Sequence, residues 1–149
     1  MQVRGIAVAV AALGLGLVSA AAVLNARGPT DPVIIGPLFA AGDDGDGSGM
    51  GAIVQGRLRL DDGCLLLDDI PVVWPHETGW DAVDKAVLLP GGERAAIGER
   101  VTGGGGYLHV PSLAGERNEE FAARLRECPT DRWGQVAVFN QTGHVDVLP

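Results

Sequence analysis

The sequence predicts a mainly β domain with one helix (α+β), a small five-stranded barrel over residues 50–149 that follows an N-terminal apolar segment and a flexible tether. Three observations carry that expectation. Val54, Gly56, Leu58 and Leu60 alternate with Gln55, Arg57 and Arg59, the period of a strand with one wet face. Short apolar runs after it are separated by turn chemistry: Asp61-Asp62-Gly63, Pro90-Gly91-Gly92 and Asn140-Gln141-Thr142-Gly143. Only between Asn118 and Cys128 does the period change to that of a helix.

The chain opens with eighteen uncharged residues, Ile6 to Val23, behind Met1-Gln2-Val3-Arg4. A secretory signal has a basic start, an apolar stretch of about 7 to 15 residues and a small-residue cleavage site, whereas a spanning helix needs roughly 17 to 25 apolar residues. The run lies between the two, and its Ala and Gly content makes insertion marginal. Val18-Ser19-Ala20 offers a cleavage site and Leu24-Asn25-Ala26 a poorer one. Residues 1–27 are therefore a signal peptide or a single-pass anchor held by residues 6–23. Either fate delivers the rest of the chain outside the cytoplasm, as a secreted or an anchored domain, and that segment is its sole expected membrane contact. Residues 28–49 hold Pro29, Pro32 and Pro37 and end in Gly42-Asp43-Asp44-Gly45-Asp46-Gly47-Ser48-Gly49, a composition expected to stay disordered.

The first strand turns through Asp61-Asp62-Gly63 into Cys64-Leu65-Leu66-Leu67. Pro71-Val72-Val73-Trp74 either forms a third run or continues the second after a bulge, and Pro75 closes it. Ala86 to Leu89 and Arg94 to Ile97 make a hairpin, and Gly98-Glu99 leads into Arg100-Val101-Thr102. In the helical stretch Phe121, Ala122, Leu125 and Cys128 share one face; Asn118 caps it, Glu119 and Glu120 suit its positive end, and Pro129 stops it. Gln135 to Phe139 and His144 to Leu148 give a last hairpin. Merging the short runs leaves three strands, a helix and two strands. That order is similar to the OB fold, a five-stranded Greek-key barrel with a helix between its third and fourth strands plugging one end. An SH3-like barrel or an open α+β sheet gives the same string.

Composition narrows the partners. One Lys against ten Arg, with 23 Gly, fits the coding bias of a GC-rich bacterium. After position 30 the chain carries nine basic and nineteen acidic residues, a net charge of −10, which opposes binding to nucleic acid or to anionic lipid. In an exported chain, two cysteines predict a Cys64–Cys128 disulfide; redox activity would require a resolving thiol nearby.

The candidate sites each have a plainer reading beside the functional one. Trp74-Pro75-His76-Glu77-Thr78-Gly79-Trp80 holds two of the three tryptophans, able to stack on a sugar or clamp a peptide, next to a possible acid–base pair in His76 and Glu77; the plainer reading is a structural loop with Trp74 covering a barrel end. Gly103 to Gly106 predicts a flexible rim loop or a barrel bulge, with Tyr107 and His109 as ligand contacts. A phosphate loop is excluded because Tyr107-Leu108-His109-Val110 reads as strand. Asp44, Asp46, Ser48 and Gly49 match part of a calcium loop, but Gln55 stands where its bidentate Glu belongs. The spacing of His76, His109 and His144 predicts no metal site, and neither a catalytic residue nor a cofactor is expected. The leading expectation is a non-catalytic envelope module that binds a protein, peptide or glycan. The alternatives are a hydrolase or transferase using His76 and Glu77, and a structural subunit of a membrane complex.

Overall fold

The computed structural model describes residues 31–42, 49–109, 119–131 and 134–149. The apolar segment Ile6–Val23, the helix cap Asn118 and the partial calcium loop at Asp44–Ser48 lie outside them. In chain order the elements are β1 (Val33–Ile35), β2 (Leu38–Ala40), β3 (Ala52–Asp61), β4 (Cys64–Leu67), β5 (Ile70–Trp74), β6 (Gly79–Asp81), β7 (Ala86–Leu88), β8 (Arg94–Ala96), β9 (Arg100–His109), α1 (Glu119–Arg126), β10 (Gln135–Phe139) and β11 (Val145–Leu148). No helix among the described residues is long and apolar enough to cross a membrane.

Five strands close into a barrel in the circular order β3-β4-β5-β10-β9. All neighbours are antiparallel except β5 and β10, which run parallel with Val138 opposite Val73. Local chemistry sets the first turns. Asp62 and Gly63 both take positive φ, 45° and 76°, as a two-residue turn between Asp61 and its partner Cys64 demands. Asp68, with φ 54°, then reverses the chain so that Ile70 pairs with Leu67; β5 is thus a separate strand and no continuation of β4.

The wall is apolar on both faces. Leu65, Leu67, Val72, Trp74, Ala137 and Phe139 point into the barrel with Val54, Leu58 and Val101. Cys64, Leu66, Val73, Val136 and Val138 point outward and are covered by Phe121, Ala122 and Leu125 of α1. Such two-sided burial explains the continuous apolar runs at 64–67 and 136–139. The predicted helical face is the one buried, but α1 follows the fourth barrel strand and lies against the outer wall. The helix expected between the third and fourth strands is replaced there by the meander β6-β7-β8, whose Val87 and Ala95 reach the barrel core. Cys64 and Cys128 form a disulfide with a Cα–Cα distance of 5.7 Å, tying the second residue after α1 to the start of β4.

Three further expectations are corrected. The tether assigned to residues 28–49 contains the β1–β2 hairpin, turned at Gly36 (φ 59°), and Leu38, Phe39 and Ala40 are buried. Phe39 and Ala40 pair in parallel with Val73 and Trp74, so ordered structure begins upstream of Met50. The final hairpin does not exist: β10 and β11 both pair antiparallel with β9, at residues 105–109 and 100–103, as one strand interrupted at Asn140–Gly143. The glycine run is neither loop nor bulge but the middle of β9, and its reason is steric. A methyl group on Gly105 would stand 2.1 Å from the Val138 carbonyl oxygen, and one on Gly103 would stand 2.9 Å from that of His144.

Two measurements check these assignments. Gly105→Ala is expected to destabilise the chain by about 3 kcal/mol in urea unfolding, at the upper end of ordinary overpacking. Gly104→Ala, whose added carbon would meet only the Asn140 side chain at 3.1 Å, is expected to change stability by less than about 1 kcal/mol. Replacing Cys64 and Cys128 together by Ser is expected to lose about 2 to 4 kcal/mol, because the bond spans a sequence separation of 64 residues. Alkylation of the unreduced wild-type chain is expected to label neither cysteine.

Candidate functional site

The interruption between β10 and β11 shapes one rim of the barrel. There Asn140–Gly143 leaves the sheet, its exit marked by hydrogen bonds from the Asn140 amide to Gly104 O and from the Gly143 amide to Asn140 O. Two side chains clamp the excursion to other parts of the chain. Asn140 accepts from the Met50 amide (2.7 Å) and donates to the Met50 carbonyl (3.0 Å), fastening the approach to β3. Gln141 accepts from the His76 amide (2.7 Å) and donates to Phe139 O (3.3 Å).

Facing this loop is the β7–β8 turn, Leu89 to Glu93, closed by hydrogen bonds between Leu89 and Glu93 and between Gly92 and Leu89. Gly91 lies against the His144 ring: a carbon added there would stand 3.3 Å from its Cε1. Between turn and loop is a cleft of about 310 Å³ lined by Leu89, Pro90, Gly91 and residues 141–145. Its lining is mixed, with Leu89, Pro90 and Val145 apolar and Gln141, Thr142 and His144 polar. At its edge His144 Nε2 lies 3.2 Å from Asp146 Oδ1 and 4.0 Å from Glu93 Oε2. These three are exposed and present donor atoms suited to a metal ion. A second, smaller cleft of about 180 Å³ lies on the other side of the loop, lined in part by Met50, Phe139 and Asn140.

The expected ligand residues do not meet in one place. Trp74 is fully buried in the barrel core, its ring centroid 5.3 Å from that of Phe139, so it has no surface to offer a ligand. Its indole N–H is buried without a hydrogen-bond partner. The other indole, Trp80, is half-buried on β6 and packs towards Gly36 in the β1–β2 turn. His76 is partly exposed and its amide is tied to Gln141, which attaches it to the rim; Glu77 is exposed at φ 66°. Tyr107 and His109 are exposed on β9, opposite Ala137 and Gln135, towards the end of β10 remote from Asn140.

The rim residues Glu93, Asn140, Gln141, His144 and Asp146 were not singled out as ligands from sequence. One signal was present: His144 and Asp146 stand two apart in an extended run and so share a face. No comparable signal connects Glu93 to them, since the meander fold alone brings it there. Comparison with protein-family models, with curated proteins and with solved structures finds no match to this chain.

Electrostatics stiffen the meander that carries the cleft's outer wall. The Asp81 carboxylate accepts from the amides of Asp84 (3.1 Å) and Val83 (3.0 Å), and Arg94 bridges it to Asp84 at 3.1 and 2.7 Å. The Asp84 amide has the largest effect on the Asp81 pKa; desolvation opposes it, but the Val83 amide and Arg94 add to it and the pKa stays below the ordinary aspartate value. A depressed folded-state pKa gives stability that is present above the unfolded pKa and lost as pH falls through the folded one. Carboxyl-carbon NMR titration is therefore expected to find Asp81 titrating below its unfolded value, and Asp81→Asn to remove part of the loss of stability in acid.

Proposed function

We propose that this chain is a non-catalytic module of a bacterial envelope, exported behind its apolar N-terminal segment, that binds a protein or peptide partner through the rim cleft. Export is supported by the Cys64–Cys128 disulfide, since such bonds persist in oxidising compartments, together with the signal-like or anchor-like run at Ile6–Val23. The barrel is read as OB-like: its circular order, closed by the parallel pair β5 and β10, is the Greek-key closure of that fold. The position of α1 and the meander depart from it. OB barrels commonly bind ligands across their second and third strands and through the loops between strands one and two and four and five; the cleft here is lined instead by the β7–β8 turn and the segment after β10.

One observation carries the recognition role. The Asn140–His144 loop is clamped by side-chain hydrogen bonds and by the strand register that follows it, yet leaves Thr142 and His144 exposed beside Leu89, Pro90 and Val145. A rigid scaffold presenting exposed polar loop residues is the usual arrangement of a binding surface. With no ion bound, Glu93 and Asp146 add negative charge at the edge, and a partner of the metal-free chain would meet it with a basic side chain or an amino terminus. Affinity for a glycan would instead call for exposed aromatic faces, and among the described residues no Trp, Tyr or Phe lines this cleft.

Site-specific photocross-linking in cells tests this reading with the chain intact. A photoreactive residue at Thr142 is expected to capture a discrete envelope partner, and one at Val83, exposed on the β6–β7 turn, is expected to capture little. Equal labelling from both positions, or none from Thr142, would count against the rim as the binding surface.

A further inference from the structure

We propose that Glu93, His144 and Asp146 bind one divalent metal ion of borderline softness, Zn²⁺ fitting them best. The three ligands come from separate parts of the fold: the end of the β7–β8 turn, the end of the rim loop and β11. Their donor atoms all lie within 4.8 Å of one another. Zinc holds an imidazole nitrogen at about 2.0–2.1 Å and a carboxylate oxygen at about 2.0–2.2 Å, so two ligand atoms on one tetrahedral edge stand roughly 3.3–3.5 Å apart. His144 Nε2 and Asp146 Oδ1, 3.2 Å apart, already approximate such an edge. Glu93 Oε2, 4.0 Å from the imidazole, belongs to an exposed side chain on a turn, and a change of rotamer brings it in.

The donor set selects the ion. One imidazole with two carboxylates suits zinc; calcium and magnesium take oxygen donors throughout, calcium six to eight of them. Two carboxylates beside a neutral imidazole also carry a charge that a divalent ion neutralises. The backbone prepares the geometry before any ion arrives. Asp146 is fixed opposite Thr102 in the sheet, and His144 is confined on two sides, its ring against Gly91 and its carbonyl against Gly103. With three protein ligands a fourth position stays open, next to the cleft that His144 also lines. The inference stands on these donors and does not depend on the identity of any partner protein.

The competing reading is that the three side chains contact one another and take up no metal. Titration of the metal-free, disulfide-intact full chain with Zn²⁺ alone separates the two, read by calorimetry and by the ring ¹⁵N signals of His144. One Zn²⁺ per chain is expected, with the His144 ring signals shifting in step. Because loss of even an outer-shell partner lowers metal affinity about 10- to 100-fold, His144→Ala, Glu93→Gln and Asp146→Asn are each expected to weaken binding by at least about tenfold. His109→Ala is expected to leave it unchanged. The Gln and Asn variants keep side-chain shape at exposed positions, so they report on the site even where His144→Ala perturbs the rim; the unfolding midpoint of each metal-free variant checks the fold. The proposal is overturned if the wild-type chain takes up no stoichiometric Zn²⁺, if the His144 ring responds to pH and not to Zn²⁺, or if binding survives when all three ligands are replaced.

Discussion

The close approach of backbone to backbone along β9 is the constraint on which the remaining structure depends. β9 accepts β3 on one edge and, on the other, first β11 and then β10. Three partners share one strand only if the chain can leave the sheet between β10 and β11, and it does so directly above Gly103 and Gly104. A side chain at Gly103 would collide with the His144 carbonyl and the Phe139 ring, and one at Gly105 with the Val138 carbonyl. The glycines therefore allow barrel closure and create the rim loop in the same few residues. Glycine in a strand interior sacrifices packing and adds to the entropy lost on folding. Here that disadvantage is offset by cross-strand pairing along the whole of β9.

The second layer follows from the first. A barrel of five short strands encloses a small core, and the outward faces of β4, β5 and β10 are as apolar as the inward ones. Something must cover them. Part of the cover is α1, whose eight residues are too few to be helical alone in water, so its stability comes from packing Phe121, Ala122 and Leu125 and from the nearby disulfide. Phe39 of β2 completes it, its ring meeting that of Phe121 edge to face with centroids 5.4 Å apart. The hairpin upstream of Met50 is thus a part of the core and not an appendage.

How much of this was legible depends on whether a local pattern had a single structural meaning. The helix was legible because its i, i+4 and i+7 apolar positions have no strand equivalent. β3 and β4 were legible because Asp62-Gly63 between alternating residues specifies a tight turn. Gly103 to Gly106 was misread because a strand whose side chains have been removed for steric reasons has the composition of a loop. The β1–β2 hairpin was misread because strands of three residues set among Pro and Gly carry no period. Trp74 allowed two readings, a ligand platform or a cover for the barrel, and only the tertiary fold decides between them by turning its indole inward. For the site, the shared face of His144 and Asp146 could be read from their spacing. Glu93 could not, since its proximity is created by a meander placed between distant barrel strands.

These features bear on where a partner or an ion would find this chain. Elsewhere, several carboxylates at turns and strand ends are paired with arginine, Asp61 and Asp69 with Arg59 and Asp81 and Asp84 with Arg94. At the rim the geometry differs. Two carboxylates and an imidazole are brought together where the Asp146 backbone pairs with Thr102 and the Gly91 and Gly103 backbones lie close to His144. Such a group offers two anionic donors and one imidazole nitrogen to a single cation. The register that β9 imposes on β11 therefore supports the chemistry placed there: it keeps Asp146 beside the imidazole, 3.2 Å away, while Glu93 reaches the pair from the β7–β8 turn through its side-chain rotamer.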